Sequence, residues 1–437
     1  MFANPNMTDG RGMRLFTILI LYIAQGLPIG LLEFAVTGWM AAKGATVGEI
    51  GYVIGMAVAP WSLKFINGAL MDRYAYLPMG RRRAWILAAQ LVMVISLLLA
   101  ALVDPGPRDA AIIGGIAFAV NMATVFQDVG ADALAVDIAE EKEHGIVSGL
   151  MAGGQALGIA ISAAISGLII YHYGTGAAYT TCAILVTFTS LYLVWVRERA
   201  GERRLPWSKG EAHAISLAVQ AHSWIGLLSH AFRQLFRKDS LVWVAPLFLR
   251  GMGYGTMTVA APFIAANYGG WNEAQIGAAN GTGQFVAAIA AMTLGSFLCV
   301  KLGSKLAQIL TLGLFAGAAA LLALTEPFWS SEAVIWAVIL GWPILYYLTG
   351  VPMQAITLAF SDPETGATQF SIYMACINQG TSFAGFTFAL VSGVGGIELV
   401  IGLLALVFTL ALTITLLVNV PSRQIEVPDE PRNPQTA

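Results

Sequence analysis

Two aspartates, Asp128 and Asp132, lie four residues apart inside a long apolar stretch of the sequence. In an α-helix this spacing places both carboxyl groups on one face, which Asn121 and Thr124 continue. Two carboxylates this close in a low-dielectric interior do not both ionise easily, so we expect one of them to hold a proton near neutral pH. The pair is therefore a candidate for binding and releasing a proton.

Three other charged residues interrupt apolar stretches: Glu33, Lys64 and Arg250. A charge near the centre of a bilayer costs at least ~2.5 kcal/mol, so each of these residues requires a partner or a function. Arginine carries a planar fork of N–H donors that suits a carboxylate or a phosphate. Because Tyr254 shares the helical face of Arg250, these two residues are candidates for binding an anionic solute.

Uncharged polar residues also occur in the apolar stretches. Tyr22 and Gln25 lie on the same side of the first helix as Glu33, and Pro28 between them predicts a bend. The remaining candidates for contact with a solute are Asn121, Asn280, Gln284 and Gln354. For each Asn or Gln, the alternative is a hydrogen bond between neighbouring helices.

The composition sets the class of protein. The chain has 437 residues, of which 57% are hydrophobic and 11% are charged, and its mean hydropathy is +0.72. A soluble domain carries about 25% charged residues, so this composition indicates a polytopic membrane protein. The three cysteines, Cys182, Cys299 and Cys376, lie apart in apolar segments and form no disulfide framework or metal-binding spacing.

Apolar runs of about 20 residues predict membrane-spanning helices. The predicted spans are residues 14–41, 46–70, 84–103, 110–138, 146–171, 175–196, 240–268, 272–297, 304–324, 332–360, 367–392 and 396–420. The fold class is therefore all-α, with twelve membrane helices in two six-helix bundles, 1–196 and 240–420. The first run is too long for a cleavable signal peptide and is not followed by a cleavage site.

The positions of Lys and Arg predict the orientation, because cytoplasmic loops carry an excess of these residues. With the N-terminus inside, only Lys43 and Arg108 fall on the outer side. The cytoplasmic side receives Arg11, Arg14, Arg73, Arg81, Arg82, Arg83, Lys142, the bases of residues 197–239, Lys301, Lys305 and Arg423. Both termini are therefore predicted to be cytoplasmic, which requires an even number of spans.

Residues 197–239 form the one sizeable non-spanning segment predicted between the halves. Apolar residues from Ile215 to Phe236, including Val219, interleave with bases and predict an amphipathic helix on the inner membrane surface. The spacing of His213, His222 and His230 is not a usual metal-ligand spacing, so no metal site is predicted. The proline-rich tail, residues 421–437, is predicted to be disordered.

The hairpin after the second span carries a further motif. It contains Gly68, Asp72, Arg73, Gly80, Arg81 and Arg82, followed by Arg83. One interpretation is a positive-inside anchor, but an anchor requires neither Asp72 nor Gly68. The hairpin resembles the loop between the second and third helices of the major facilitator superfamily, with residues 74–79 added. The resemblance implies a gating motif, with Asp72 near Thr365 and Gly366 of the eleventh helix when the inner gate is closed.

Internal similarity between the halves fits the same family. Ile50-Gly51 opens the second span much as Ile276-Gly277 opens the eighth, and Gly68 corresponds to Gly295. Parallel six-helix repeats around a solute path are the architecture of this superfamily.

The superfamily arrangement also implies how the charges meet. Because it places the second and fourth helices in the same half, Lys64 is expected to neutralise one acid. On depth alone we assign Asp132 as its partner, Asp128 as the proton-coupled acid and Glu33 as the reserve candidate. The alternative is a purely structural ion pair. The first and seventh helices would face each other across a central cavity, which Lys64 would also line as a solute ligand.

One branch of the superfamily matches best. Residues 60–65 (PWSLKF) with residues 70–74 (LMDRY), residues 127–133 (QDVGADA) with Asp137, and residues 368–371 (TQFS) are similar to motifs of AmpG-type muropeptide permeases and acetyl-CoA transporters. This resemblance implies proton-driven import of a solute across a bacterial inner membrane. Arg250 stands where the branch often has a lysine, and the acid that commonly follows is replaced by residues 251–253. Siderophore permeases that resemble this branch are therefore an alternative.

The expected function is secondary active transport of an anionic or zwitterionic, muropeptide-like solute. No nucleophile–base set, phosphate-binding loop or metal spacing occurs, so neither an enzyme nor a cofactor is predicted. The expected partners are the solute, protons and membrane lipids, without nucleic acid, and the expected state is a monomer. A non-transporting membrane scaffold or pigment-delivery protein is the other alternative, since it would not need titratable acids that line a cavity.

Overall fold

A computed structural model describes residues 5–45, 47–218, 224–271, 273–361 and 365–421. Within these ranges the chain is helical, and its β pairing is an isolated bridge between Asn6 and Arg197. Ten described stretches are long and apolar enough to cross a membrane. The helix that carries Arg250 and the one that begins at Gly366 complete the set of twelve. The predicted all-α fold is confirmed.

The first half contributes six long helices. They are α1 (Arg11–Ile29, continued by Gly30–Val36 and Thr37–Ala42), α2 (Val47–Val58, Ala59–Leu63 and Lys64–Arg73), α3 (Arg83–Val103), α4 (Ala110–Ile138), α5 (His144–Tyr173) and α6 (Thr175–Trp195).

The second half contributes another six. They are α7 (Lys238–Asn267), α8 (Glu273–Ala290, Ala291–Gly295 and Ser296–Leu302), α9 (Ser304–Leu324), α10 (Glu332–Phe360), and α11 and α12, which divide Gly366–Leu417 at Gly395 and Gly396. Gly396 has a φ of 69°, a left-handed conformation that glycine adopts without steric cost.

Prolines interrupt two helices of the first half. In α1 a π-helical segment, Gly30–Val36, follows Pro28, which has no N–H to donate. In α2 the segment Ala59–Leu63 is a 3₁₀ helix that contains Pro60, and the α-helix resumes at Lys64. The sequence predicted a second span of residues 46–70, and the structure adds the 3₁₀ interruption and continues the helix to Arg73. The interruption sets the position of Lys64 at the start of a new helical segment.

Glycines allow the same close helix contact in both halves. A Cβ atom at Gly26 or Gly30 of α1 would lie under 3.0 Å from backbone atoms of α5. Gly251 and Gly255 of α7 meet backbone atoms of α11 in the same way. Small residues spaced four apart let membrane helices approach closely. The repetition of this contact six helices later is what an internal repeat produces.

Each half has its own apolar core. The first contains Leu31, Met93 and Val120, and the second contains Phe315 and Phe408. Each half therefore has its own main core, and a further cluster that includes Leu358 and Phe370 joins the halves. Two seams of contact between the halves are the α5–α8 pair and the α2–α11 pair.

The seam between α5 and α8 is closed at one end of the bundle. We call this end of the bundle, where Asp72, Arg81, Arg82 and Glu143 lie, the basic end. There Gly145, Gly149 and Gly153 of α5 face Cys299, Ser296 and Met292 of α8, and a Cβ at any of the three glycines would lie under 3.0 Å from α8. The glycine stripe removes the side chains that would otherwise separate the halves.

The seam between α2 and α11 is closed at the same end. A Cβ at Gly68 would lie 2.6 Å from the carbonyl oxygen of Ala367. Asp72, four residues further along α2, hydrogen-bonds to the start of α11 through Thr368. Both seams are therefore in contact at the basic end in this conformation.

The segment that follows α6, residues 197–211, lies against the hairpin between α2 and α3, and we call it the clasp segment. The Arg203 amide donates to the Pro78 carbonyl at 2.6 Å, and the Met7 amide donates to the Arg197 carbonyl at 2.8 Å. This docking was not predicted. The described residues that follow are helical over Ala214–Ala218 and Trp224–Leu235, within the region of the predicted amphipathic helix. Val219 and His222, and the tail beyond residue 421, lie outside the described residues.

Candidate functional site

Three charged side chains meet in the interior of the first half. The Lys64 ammonium contacts a carboxylate oxygen of Asp132 at 2.7 Å and also contacts Asp128. All three residues are at most 5% exposed. Asp128 and Asp132 point to one side of α4, as their spacing predicted, and the resumed helix of α2 brings Lys64 to them. We call these three residues the charge triad.

Two residues of α1 complete the triad's polar contacts. The Tyr22 hydroxyl donates to Asp132, and the Gln25 side-chain amide donates to Asp128 at 2.5 Å. Both residues are buried, at 3% and 1% exposure. The sequence placed Tyr22 and Gln25 on one face of α1 as solute ligands, and the structure shows that this face is directed at the two acids.

The predicted pair of Lys64 with Asp132 is present, and the ammonium contacts Asp128 as well, so the structure does not distinguish one acid as its partner. A single ammonium group can balance one carboxylate charge, and the second charge stays uncompensated in a low-dielectric interior. The arrangement is chemically suited to holding one proton in exchange between the two acids.

Arg250 occupies a separate position in the second half. Its guanidinium lies over the Tyr346 ring, 3.7 Å from the ring centre, and Nη2 donates to the Tyr346 carbonyl at 3.0 Å. Tyr254 packs against Tyr346, with 4.7 Å between ring centres. Arg250 and Tyr254 therefore share a face, as predicted, and both contact α10.

The other predicted residues are more dispersed. Asn121 is fully buried on α4, and neither of its amide atoms has a hydrogen-bond partner in the described part of the chain. Asn280 and Gln284 on α8 and Gln354 on α10 are half-buried. Glu33 is half-buried in the π-helical segment of α1 and forms no ion pair within the described ranges. Within the described ranges, none of these five residues forms a hydrogen bond or ion pair with the triad or with Arg250.

A second ionic network lies at the basic end. One carboxylate oxygen of fully buried Asp72 accepts hydrogen bonds from the Thr368 amide, at 2.8 Å, and from its hydroxyl, at 2.7 Å. Since Thr365 is the N-cap of α11, Asp72 binds an amide in the first turn, where an anion is favoured. The predicted contact of Asp72 with the start of α11 is confirmed, one turn beyond Thr365.

The arginines of the hairpin are buried parts of this network. Arg82 binds Asp72 at 2.8 Å and Asp137 at 2.7 Å, and Arg81 lies 3.4 Å from Asp137. Arg73 lies 5.0 Å from the centre of the Tyr74 ring. Arg81 and Arg82 are at most 1% exposed and bind acids inside the protein, which a positive-inside anchor would not require.

Sequence reasoning missed the clasp contacts. The Glu198 carboxylate accepts hydrogen bonds from the backbone amides of Arg81, Arg82 and Arg83, at 2.9 to 3.2 Å. Gly80 has a φ of 95°, and a Cβ there would lie 2.6 Å from Glu198. The alternation of acids and bases in residues 197–204 was the available signal, but it does not identify a partner.

Two further contacts join helix ends at the basic end. The Arg83 guanidinium donates to the carbonyls of Leu193 and Val196, at 2.9 and 3.0 Å, and so caps α6. Arg14 of α1 binds Glu143 before α5, at 2.8 Å. These contacts fix the ends of neighbouring helices of the first half relative to each other.

Glu202 in the clasp segment has a perturbed acidity. Its side chain is fully buried and accepts a hydrogen bond from the Arg199 amide at 2.8 Å. Burial, reinforced by the nearby Glu198 carboxylate, raises the pKa of Glu202 to about 8. This group therefore titrates close to physiological pH.

Two packed six-helix halves with charges buried between helix ends form the architecture of a secondary transporter. The fold and site thus define a multi-pass membrane transporter. The chain belongs to the Major Facilitator Superfamily, whose family model matches residues 16–386.

Individual relatives give a more specific comparison than the family model. The anhydromuropeptide permease of Escherichia coli (strain K12) is 24% identical over 268 residues, which cover 58% of this chain and 54% of the permease. A folate-biopterin transporter of a Synechocystis species is 27% identical over 212 residues, 47% of this chain and 42% of that protein. The chain spans about half the length of the curated relatives it matches. The resemblance to AmpG-type permeases is confirmed at this level.

Solved structures support the fold. The human organic anion transporter MFSD10 superposes with a TM-score of 0.67 at 13% identity, covering 92% of this chain and 98% of that one. The transporter FucP in its outward conformation gives a TM-score of 0.69 at 12% identity, covering 93% and 98%.

Proposed function

We propose that the chain is a proton-coupled transporter that imports an anionic or zwitterionic solute by alternating access. The observation that carries this proposal is the charge triad, in which one ammonium contacts two buried carboxylates. A proton that binds the uncompensated carboxylate changes the charge of the interior. Such a change drives transport when the inward-open and outward-open states of the protein differ in proton affinity.

The proposed solute is muropeptide-like. This choice rests on the similarity to anhydromuropeptide permease and on the buried cation Arg250, whose guanidinium is suited to a carboxylate. The similarity to a folate-biopterin transporter favours a folate-like solute as a second candidate. Tyr22, Gln25, Tyr254, Asn121, Asn280, Gln284 and Gln354 are the further proposed solute contacts.

We further propose that the protein is a monomer in a bacterial inner membrane, with the basic end and both termini in the cytoplasm. The excess of Lys and Arg at that end supports this orientation. An impermeant thiol reagent applied to intact cells should label a cysteine at position 43 but not one at position 11. Labelling of position 11 alone would reverse the orientation.

Uptake into proteoliposomes tests the function. The assay compares an anhydromuropeptide, folate and a ferric siderophore, each with and without an inwardly directed proton gradient. We expect gradient-dependent accumulation of the anhydromuropeptide that a protonophore abolishes. Accumulation of the siderophore instead would identify the alternative solute. The same uptake with and without the gradient would contradict proton coupling, and no uptake of any solute would favour a non-transporting protein.

A further inference from the structure

Arg250 is a buried cation without a carboxylate partner. Its side chain is 7% exposed, and within the described part of the chain no acidic group lies in ion-pair contact with it. In the described part of the chain, the hydrogen bonds and the ring contact of its guanidinium are made instead with α10. A buried charge that lacks an opposite charge is costly, so its retention calls for a partner from outside the protein.

The contacts with α10 hold the guanidinium in one orientation. Nε donates to the Thr349 hydroxyl at 3.4 Å, Nη2 donates to the Tyr346 carbonyl at 3.0 Å, and the Tyr346 ring covers one face. Thr349 is itself fully buried, with its hydroxyl bonded to the Tyr346 carbonyl at 2.7 Å. The guanidinium is therefore fixed by neutral groups that leave its charge uncompensated.

Gly350 provides the space for this arrangement. A Cβ atom at residue 350 would lie 2.5 Å from Nη2 of Arg250, and its next nearest neighbours are atoms of the same guanidinium group. Any side chain at this position would therefore displace the end of Arg250. Because the clash is with the end of a long side chain and not with backbone, the displacement would cost the fold little and would change the guanidinium position.

One edge of the guanidinium stays open. Nη1 makes no hydrogen bond with any residue in the described ranges, and Nη2 uses only one of its two N–H groups. An edge with one N–H on each terminal nitrogen matches the two oxygens of a carboxylate. A phosphate monoester carries a charge of −1.5 to −2, so a single guanidinium would leave it under-compensated in a buried site.

We propose that Arg250, held by Tyr346 and Thr349 and given space by Gly350, is the seat for one carboxylate group of the solute. Gly350 is then a specificity-determining residue, since it sets the position of the guanidinium without touching the solute. The inference rests on the proposed function. It assigns the chemical group of the solute that the second half of the protein binds.

Binding to the purified full-length protein tests the seat independently of transport. The probes are N-acetylmuramate and N-acetylglucosamine, which differ by one lactyl group that bears a carboxylate. A hydrogen bond between charged groups stabilises a complex more than one between neutral groups. We therefore expect N-acetylmuramate to bind about tenfold more tightly than the neutral N-acetylglucosamine. In Arg250→Gln and Gly350→Ala the two sugars should bind equally.

Gly341→Ala is the matched control, because a Cβ at this glycine of α10 has no neighbour within 4 Å. This variant should keep the preference for the acid. Equal binding of the sugars by the wild type, no binding of either, or a retained preference in Gly350→Ala would overturn the proposal. A protein that prefers the acid but accumulates no solute in proteoliposomes would support the seat and contradict the transport function.

Discussion

At the scale of single residues, the charge triad combines one positive and two negative groups in contact. Lys64 lies 2.7 Å from Asp132 and also contacts Asp128, while Tyr22 and Gln25 each donate to one acid. The donors stabilise ionised carboxylates, but they add no charge. The triad therefore carries one uncompensated negative charge unless a proton is bound.

Asp128→Asn tests which acid carries the exchangeable proton. Asparagine is permanently neutral, so the proton gradient no longer changes the charge of the triad. We expect gradient-driven accumulation to be lost while solute exchange without a gradient persists, measured by counterflow in proteoliposomes. If Asp128→Asn and Asp132→Asn both still accumulate solute, the proton site lies elsewhere, and Glu33→Gln is the next variant.

Lys64→Met tests the triad as an electrostatic unit. Removal of the ammonium leaves two buried carboxylates facing each other, and breaking a buried pair costs about 3–5 kcal/mol. We expect a clearly lower unfolding temperature of the purified protein. The double variant Lys64→Met with Asp132→Asn removes one charge of each sign and should recover part of the loss. Equal stability of the single variant and the wild type would mean that the triad contributes no net stability.

At the scale of helices, the seam between α5 and α8 depends on the absence of side chains. Gly149→Leu would place a side chain where even a Cβ lies under 3.0 Å from α8. Overpacking of this kind costs about 1–3 kcal/mol, and we expect the basic end to open in a larger fraction of molecules. Spin-label distances across the basic end report the change. Gly167→Leu in the same helix, at a glycine without neighbours within 4 Å, should leave the distances unchanged.

The other seam depends on one carboxylate at a helix start. Asp72→Asn removes the negative charge that faces the first turn of α11 and the Arg82 guanidinium. Charge-assisted hydrogen bonds contribute about 1.5–3 kcal/mol, so the equilibrium ratio of molecules closed to molecules open at the basic end should fall about tenfold or more. Transport should slow while solute binding persists. Unchanged distances between spin labels on α2 and α11 would contradict this role of Asp72.

At the scale of the whole molecule, the clasp segment joins the end of α6 to the hairpin of the gating motif. Its Glu202 faces Glu198, Arg199 and Arg83, and its pKa is raised from 4.5 to about 8 by burial. A carboxyl with a raised pKa stabilises the folded state when it is protonated. This contribution to stability is complete below pH 4.5 and is lost as the pH rises to about 8.

The unfolding temperature should therefore fall as the pH rises from about 4.5 to about 8, and Glu202 should add no further change above that range. Glu202→Gln imitates the protonated carboxyl and should flatten this part of the profile. Glu211→Gln changes an exposed acid of the same segment and should leave the slope intact. A wild-type profile that rises over this range, or the same slope in Glu202→Gln, would contradict the assignment of the titrating group.

The sequence by itself determined the class of protein and the architecture. Apolar runs of membrane length, the asymmetry of Lys and Arg, and the motif from Gly68 to Arg83 all depend on local spacing, which the sequence displays directly. The common face of Asp128 and Asp132 follows from helix geometry in the same way. Contact of Asp72 with the start of α11 was predicted through the family resemblance, which carries three-dimensional information that spacing lacks.

Only the tertiary structure decided how the charges are shared. Whether Lys64 reaches one acid or both depends on the break at Pro60 and on the approach of α2 to α4, and neither can be measured along the chain. The same holds for Glu198 beneath the hairpin and for Gly350 beside Arg250. The physical reason is that local periodicity fixes which face of a helix a residue occupies, whereas the partner on that face is set by packing between distant helices.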